Sequence, residues 1–170
     1  PAWRLSRPAT RTLQNKTLQP VGQILSEEAW QRISRNRTKM EIPRNTQLFE
    51  SDIATYWFDD SGILNSVSKP PRRTMENTKQ SFELVRRISN GRKVCLMVAV
   101  SNSGVPDKET RDYVKAQLPT VYKAMAMISA SGVGELIMNI LFRLSPPAVP
   151  MRSFKSEEAA RKWLQQYLLN

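Results

Sequence analysis

Histidine is absent from this 170-residue chain, and cysteine occurs once, at Cys95. Together these exclude Cys/His metal clusters, zinc-finger spacings and any nucleophile activated by an imidazole. A lone cysteine makes no internal disulfide, so a reducing cytoplasm is the expected compartment, with Cys95 a buried, inert thiol inside an apolar run. Glycine is scarce as well. The loop "SNSGVPDKE" at 101–109 holds one, too few for a phosphate cradle of the Walker type, which needs several exposed backbone amides and a Lys-Ser/Thr pair. Long apolar runs are missing: "VCLMVAV" and "ELIMNILF" fall far short of the roughly 20 residues of a membrane-spanning helix, and the first residues lack the basic, apolar, small-residue order of a secretory signal. The acidic residues lie mostly at helix starts and in turns, where capping explains them. No catalytic residue, metal or cofactor is expected.

What is present is a hydrophobic content of 40% and thirteen aromatic residues, enough for one domain with a real core. The net charge of +11 raises the question of an anionic partner. It is concentrated near the start: residues 1–45 hold nine Lys or Arg against three Asp or Glu, and residues 46–170 hold seventeen against twelve. "KPPRR" at 69–73 together with the basic start offers an anion-binding face, but aromatic residues are not interleaved as stacking platforms. Solvated charge is therefore the expectation, and nucleic acid an unexpected partner.

Residues 1–46 show no sustained period and read as a basic N-terminal extension outside the main core. Within it "SEEAWQRIS" suits a short helix over 26–34, capped by Ser26. From Leu48 the pattern is regular. "IATYWFDDSGILNSVS" reads as two antiparallel strands joined by an Asp-Ser-Gly turn. Thr74 opens a helix to about Ser89, with Phe82, Val85 and Ile88 on one face and Asn90-Gly91 as its stop. "KVCLMVAV" is continuously apolar, as a strand covered on both faces should be. A helix over 107–118 follows, then a buried strand "VYKAMAMISA", an apolar helix over 132–144, an edge strand "PMRSF", and a last helix capped by Ser156. The expected fold is α/β: a mixed, mostly parallel sheet of about five strands with an antiparallel N-terminal hairpin and about four helices.

The phrases "NGRKVCLMVAV", "DKETRDYV", "KAMAMIS", "NILFRLSPP" and "PMRSFKSEEAARKWL" carry a resemblance. Residues 48–170 resemble the STAS-like domain family, which includes bacterial anti-sigma-factor antagonists, and most closely its small stand-alone bacterial branch. The resemblance implies a non-enzymatic cytoplasmic protein whose fold binds other proteins or small ligands. In the antagonists a Ser at the start of the helix after the central strand is phosphorylated. Here the alignment sets Asp107 against the Asp of the family's Asp-Ser-Ser-Gly phrase and leaves Lys108 and Glu109 where hydroxyls would be, so the switch residue is missing. Ser101, Ser103 and Thr110 are neighbouring hydroxyls rather than motif matches.

Two candidate sites follow. The loop at the carboxyl end of the central strand, with Ser101, Asn102, Ser103, Asp107, Thr110 and Arg111, reads as a turn that doubles as a protein-contact or regulatory surface. The helix over 132–144 places Leu136, Ile137, Ile140 and Leu141 at helical spacing, with Met138 and Phe142 widening the stripe. Most of that stripe is core; its surplus suits a lipid-like pocket or self-association. The expected function is an interaction module for a partner protein, with a carrier or sensor of a small hydrophobic ligand as the alternative.

Overall fold

The computed structural model describes residues 40–100, 105–129 and 147–169. A two-residue strand β1 (Phe49–Glu50) pairs antiparallel with β2 (Ala54–Phe58), and β2 pairs antiparallel with β3 (Leu64–Ser68), Phe58 lying opposite Leu64. The turn between β2 and β3 is built around Asp59. Its carboxylate accepts from the backbone N–H of Ser61 at 3.0 Å and of Ile63 at 3.1 Å, and from the Ser61 hydroxyl at 2.6 Å. Gly62 takes φ +81°, a conformation that costs glycine little and other residues more.

Helix α1 (Met75–Ile88) follows from its own ends. Thr74 and Asn77 form a reciprocal capping box, Glu76 sits in the first turn, Arg86 and Arg87 in the last. The helix stops because Asn90 and Gly91 turn left-handed, which lets the Gly91 N–H reach the Arg86 carbonyl at 2.8 Å. Strand β4 (Val94–Ala99) then runs parallel to β3. Helix α2 (Lys108–Val121) is capped by Asp107, whose side chain accepts from the Thr110 N–H at 2.7 Å. Strand β5 (Tyr122–Ile128) pairs parallel with β4, and β6 (Met151–Phe154) parallel with β5. Helix α3 (Glu157–Gln165) is capped by Ser156.

The six strands among the described residues lie in sequential order, antiparallel over β1–β3 and parallel from β3 onward. β4 accounts for the two-sided character of the sheet. Its residues alternate between two cores: Cys95, Met97 and Ala99 face α3, whereas Leu96 and Val98 face α1 and α2. Under α3 the sheet presents Ala99, Ala124 and Ala126, and the helix answers with Ala160. Small side chains on both sides let helix and sheet approach closely. Asp59 also bonds Arg161 of α3 and accepts from Asn65 Nδ2 at 3.1 Å, tying the hairpin to that helix.

The architecture agrees with the sequence reading in class and in the antiparallel start, and differs in detail. Six strands stand where about five were expected, because Phe49–Glu50 adds a short edge strand too brief to leave a period in the sequence. Three helices are seen among the described residues rather than about four; the expected helix over 132–144 lies outside them. Helix α2 runs through Pro119 to Val121 instead of ending at Leu118, and passes into β5 without a loop. Only the last turn loses a backbone donor there, and Arg86 donates to Gln117 and, at 3.1 Å, to Thr120 beside it. Met40, read as part of the extension, is 4% exposed in the core beneath α3, so the packed body reaches back to residue 40.

Candidate functional site

Among the described residues the sheet face under α1 and α2 is not fully covered. A cavity of about 200 Å³ lies between that face and the two helices. Its walls divide into two chemistries, and the division follows from strand alternation and helix spacing. On β3 the alternating positions Leu64, Ser66 and Ser68 share one face, so two buried hydroxyls meet the cavity. On α1, Thr78, Ser81 and Phe82 fall three and four apart and share the inner face. Tyr56 of β2 completes this end: its hydroxyl lies 2.6 Å from Ser81 Oγ. Arg73, the residue before the α1 cap, lines the same cavity and donates to Ser68 Oγ at 3.0 Å.

The opposite end is apolar. Leu96 and Val98 of β4, Val100 just beyond its end, Met125 and Met127 from β5, and Met151 from β6 form its floor, with Val114 and Leu118 of α2 above. A bulge aids this arrangement. Val94 pairs with Tyr122 but Cys95 pairs with Ala124, so Lys123 is an extra residue, and Tyr122 joins Met125 and Met127 on the cavity side. Phe82 meets Tyr113 edge-on at 6.0 Å and Tyr122 at 6.1 Å, which stiffens the wall between α1 and the sheet. Val105, also a lining residue, is 48% exposed and marks the side nearest solvent.

A family model described as "Domain of unknown function (DUF7793)" matches residues 56–168. The chain belongs to the DUF7793 family. The matched span begins at Tyr56 and includes every described lining residue apart from Ile53 and Ala54. No curated protein and no solved structure matches the chain.

Within the DUF7793 region the electrostatics of the cavity are simple. Burial pushes the Tyr56 phenol up, offset in part by the bond to Ser81 and the charge of Arg73; burial pushes Tyr122 well above its ordinary value. Both phenols are therefore protonated donors at neutral pH. Burial pulls the Arg73 guanidinium down from its usual value, with Tyr56 opposing, but a guanidinium keeps its proton in proteins. Among the described lining residues Arg73 is the one charged side chain, and none is a carboxylate or thiol. Thr78, 3% exposed, has a hydroxyl with no hydrogen-bond partner among the described residues.

Of the site residues expected from sequence, the described ones, Asp107, Thr110 and Arg111, are not among the described lining of the cavity. Ser101, Asn102 and Ser103 lie outside the described residues, as do Leu136, Ile137, Ile140 and Leu141. Asp107 caps α2, and its carboxyl is held below the usual range by the bonds from Thr110. Thr110 is fully buried, and Arg111 donates to the Pro106 carbonyl at 2.6 Å. Asp107 and Arg111 thus have local structural partners; Thr110 bonds Asp107 through its backbone N–H, and its buried hydroxyl has no partner among the described residues. Cys95 is buried, and burial raises its thiol. Among the described residues no three His, Cys, Asp or Glu side chains gather as a metal site, and no helix is long and apolar enough to cross a membrane.

Sequence reasoning missed the polar end of the cavity. Arg73 belongs to "KPPRR", where solvated charge is the expectation, yet it lines the cavity, while Lys69 of the same stretch pairs with Glu50. One signal was available: Ser66 and Ser68 alternate on a strand that pairs with the sheet's most apolar one, where hydroxyls cost free energy unless they bond something.

Proposed function

We propose that the domain is a non-enzymatic binding module whose cavity between the sheet and helices α1 and α2 takes a small, largely apolar ligand. The observation that carries this is the cavity itself, concave, mostly apolar and edged by a few converging polar groups, the usual make-up of a ligand site. Among the described residues the lining offers hydroxyls and a guanidinium as donors, and no group suited to proton abstraction at neutral pH, which favours binding over catalysis. The resemblance to the STAS-like family implies the same kind of domain, one that binds other proteins or small ligands without chemistry.

Size limits the ligand. An apolar cavity of about 150 Å³ holds benzene, so about 200 Å³ suits a molecule of roughly eight to ten non-hydrogen atoms. Hexanamide, with about eight, is a neutral probe of that size. At typical efficiencies for small ligands it should bind with a Kd between about 10 µM and 1 mM. The test is an NMR titration of the ¹⁵N-labelled full chain with hexanamide, repeated on Val98→Phe, which fills the floor of the cavity. Saturable shifts centred on Tyr56, Ser81 and Leu96 that vanish in Val98→Phe are expected. No saturable shift at millimolar probe, or equal binding by the filled variant, removes the reading.

A further inference from the structure

The apolar end of the cavity narrows the ligand's chemistry. Strand β5 alternates small and long side chains: Ala124 and Ala126 face α3, whereas Met125 and Met127 face the cavity. Met151 of β6 lies directly opposite Met125 in the parallel register and lines the same floor. Three thioethers therefore share one patch. Their sulfurs are soft and polarizable, and their unbranched side chains adapt to the shape of what lies on them. Three rings add to the wall. Tyr56, Phe82 and Tyr122 all line the cavity, and Phe82 is tilted by 50° against Tyr122 and stands nearly perpendicular, at 82°, to Tyr113. A saturated chain gains area burial and dispersion from such walls. An aromatic ring gains these and more, because it meets thioether sulfur favourably and pairs edge-on or tilted with other rings. Each sulfur contact multiplies affinity by about two- to tenfold. A floor of leucine and valine would bury the same ring without distinguishing it from its saturated counterpart. At the other end the hydroxyls of Tyr56 and Ser81, 2.6 Å apart, can both donate and accept.

We infer that the ligand is a small aromatic molecule, its ring laid on Met125, Met127 and Met151 and turned toward Phe82, its polar substituent at the hydroxyls of Tyr56 and Ser81. The inference rests on the proposed reading of the cavity as a ligand site and adds the class of the ligand's apolar part.

Benzyl alcohol and cyclohexylmethanol each have about eight non-hydrogen atoms, a size that suits the cavity, carry the same uncharged hydroxyl, and differ in the ring. The saturated ring has the larger apolar surface, so area burial alone favours cyclohexylmethanol. In NMR titrations of the native full chain, benzyl alcohol should nevertheless bind at least about tenfold more tightly, a margin of about 1.4 kcal/mol. Met125→Leu and Met127→Leu conserve volume and are changes of a kind that cores tolerate; each should reduce the margin, and the double variant should lose most of it. A smaller or reversed margin in the native chain, or no binding of benzyl alcohol where hexanamide binds, overturns the aromatic inference and leaves the cavity reading standing. Retention of the full margin by the folded variants overturns the role of the thioethers, for the preference then reflects only the thinner ring. If benzyl alcohol, cyclohexylmethanol and hexanamide all fail to bind, both readings fall together.

Discussion

Replacing Thr78 by valine should stabilise the protein, an unusual direction for a change inside a core. Thr78 sits in the first half of α1 with its side chain almost fully buried, and its hydroxyl makes no hydrogen bond among the described residues. A buried donor left unmade costs about 1–3 kcal/mol. Valine keeps the branched shape, puts a methyl where the hydroxyl was, and has a helix propensity close to that of threonine. The gain should therefore be about 1–3 kcal/mol, since no hydrogen bond is surrendered. At roughly 2–4 °C per kcal/mol for a chain of this size, the melting temperature should rise by about 2–12 °C. Urea unfolding followed by circular dichroism and tryptophan fluorescence measures it, and coincidence of the two probes justifies a two-state analysis. Thr78→Ser is the control, because it keeps the hydroxyl and loses the methyl, and it should destabilise by about 1 kcal/mol. A valine variant equal to or less stable than the native chain refutes the reasoning, for it means the hydroxyl is satisfied and its loss is felt.

Two further outcomes follow from the hairpin. Burial alone would raise the Asp59 carboxyl, but the bonds from Ser61, Asn65 and Arg161 outweigh it and hold the group below its ordinary value. A depressed carboxyl stabilises the fold above the ordinary carboxylate range and loses that contribution as pH falls through the folded value. Asp59→Asn should thus cost about 2–3 kcal/mol at neutral pH, and the gap to the native chain should narrow in acid; a gap that is constant from neutral pH into acid would contradict the assigned ionisation. Gly62→Ala should cost about 1–2 kcal/mol, purely through its positive φ, because nothing lies within 4 Å of an added Cβ. Chemical denaturation reads that cost, and a neutral result would mean the turn relaxes to another conformation.

Much of the secondary structure was legible because its causes are local. Thr74, Asp107 and Ser156 announce three helix starts, Asn90-Gly91 one stop, and the Asp-Ser-Gly turn one hairpin. Each acts within a few residues of itself. The continuous run of β4 likewise implies two buried faces, since no single-sided strand tolerates it.

What tertiary structure alone decided is the polar end of the cavity. Tyr56 and Ser81 are 25 residues apart and meet only when β2 and α1 pack. Arg73 lines the cavity beside Ser68 at the end of β3, and Tyr122 reaches the cavity because of a bulge visible only in the register against β4. Caps and periods are short-range geometry, readable along the chain. A pocket is a long-range coincidence of faces, and free energy assigns it only once every face has found its partner.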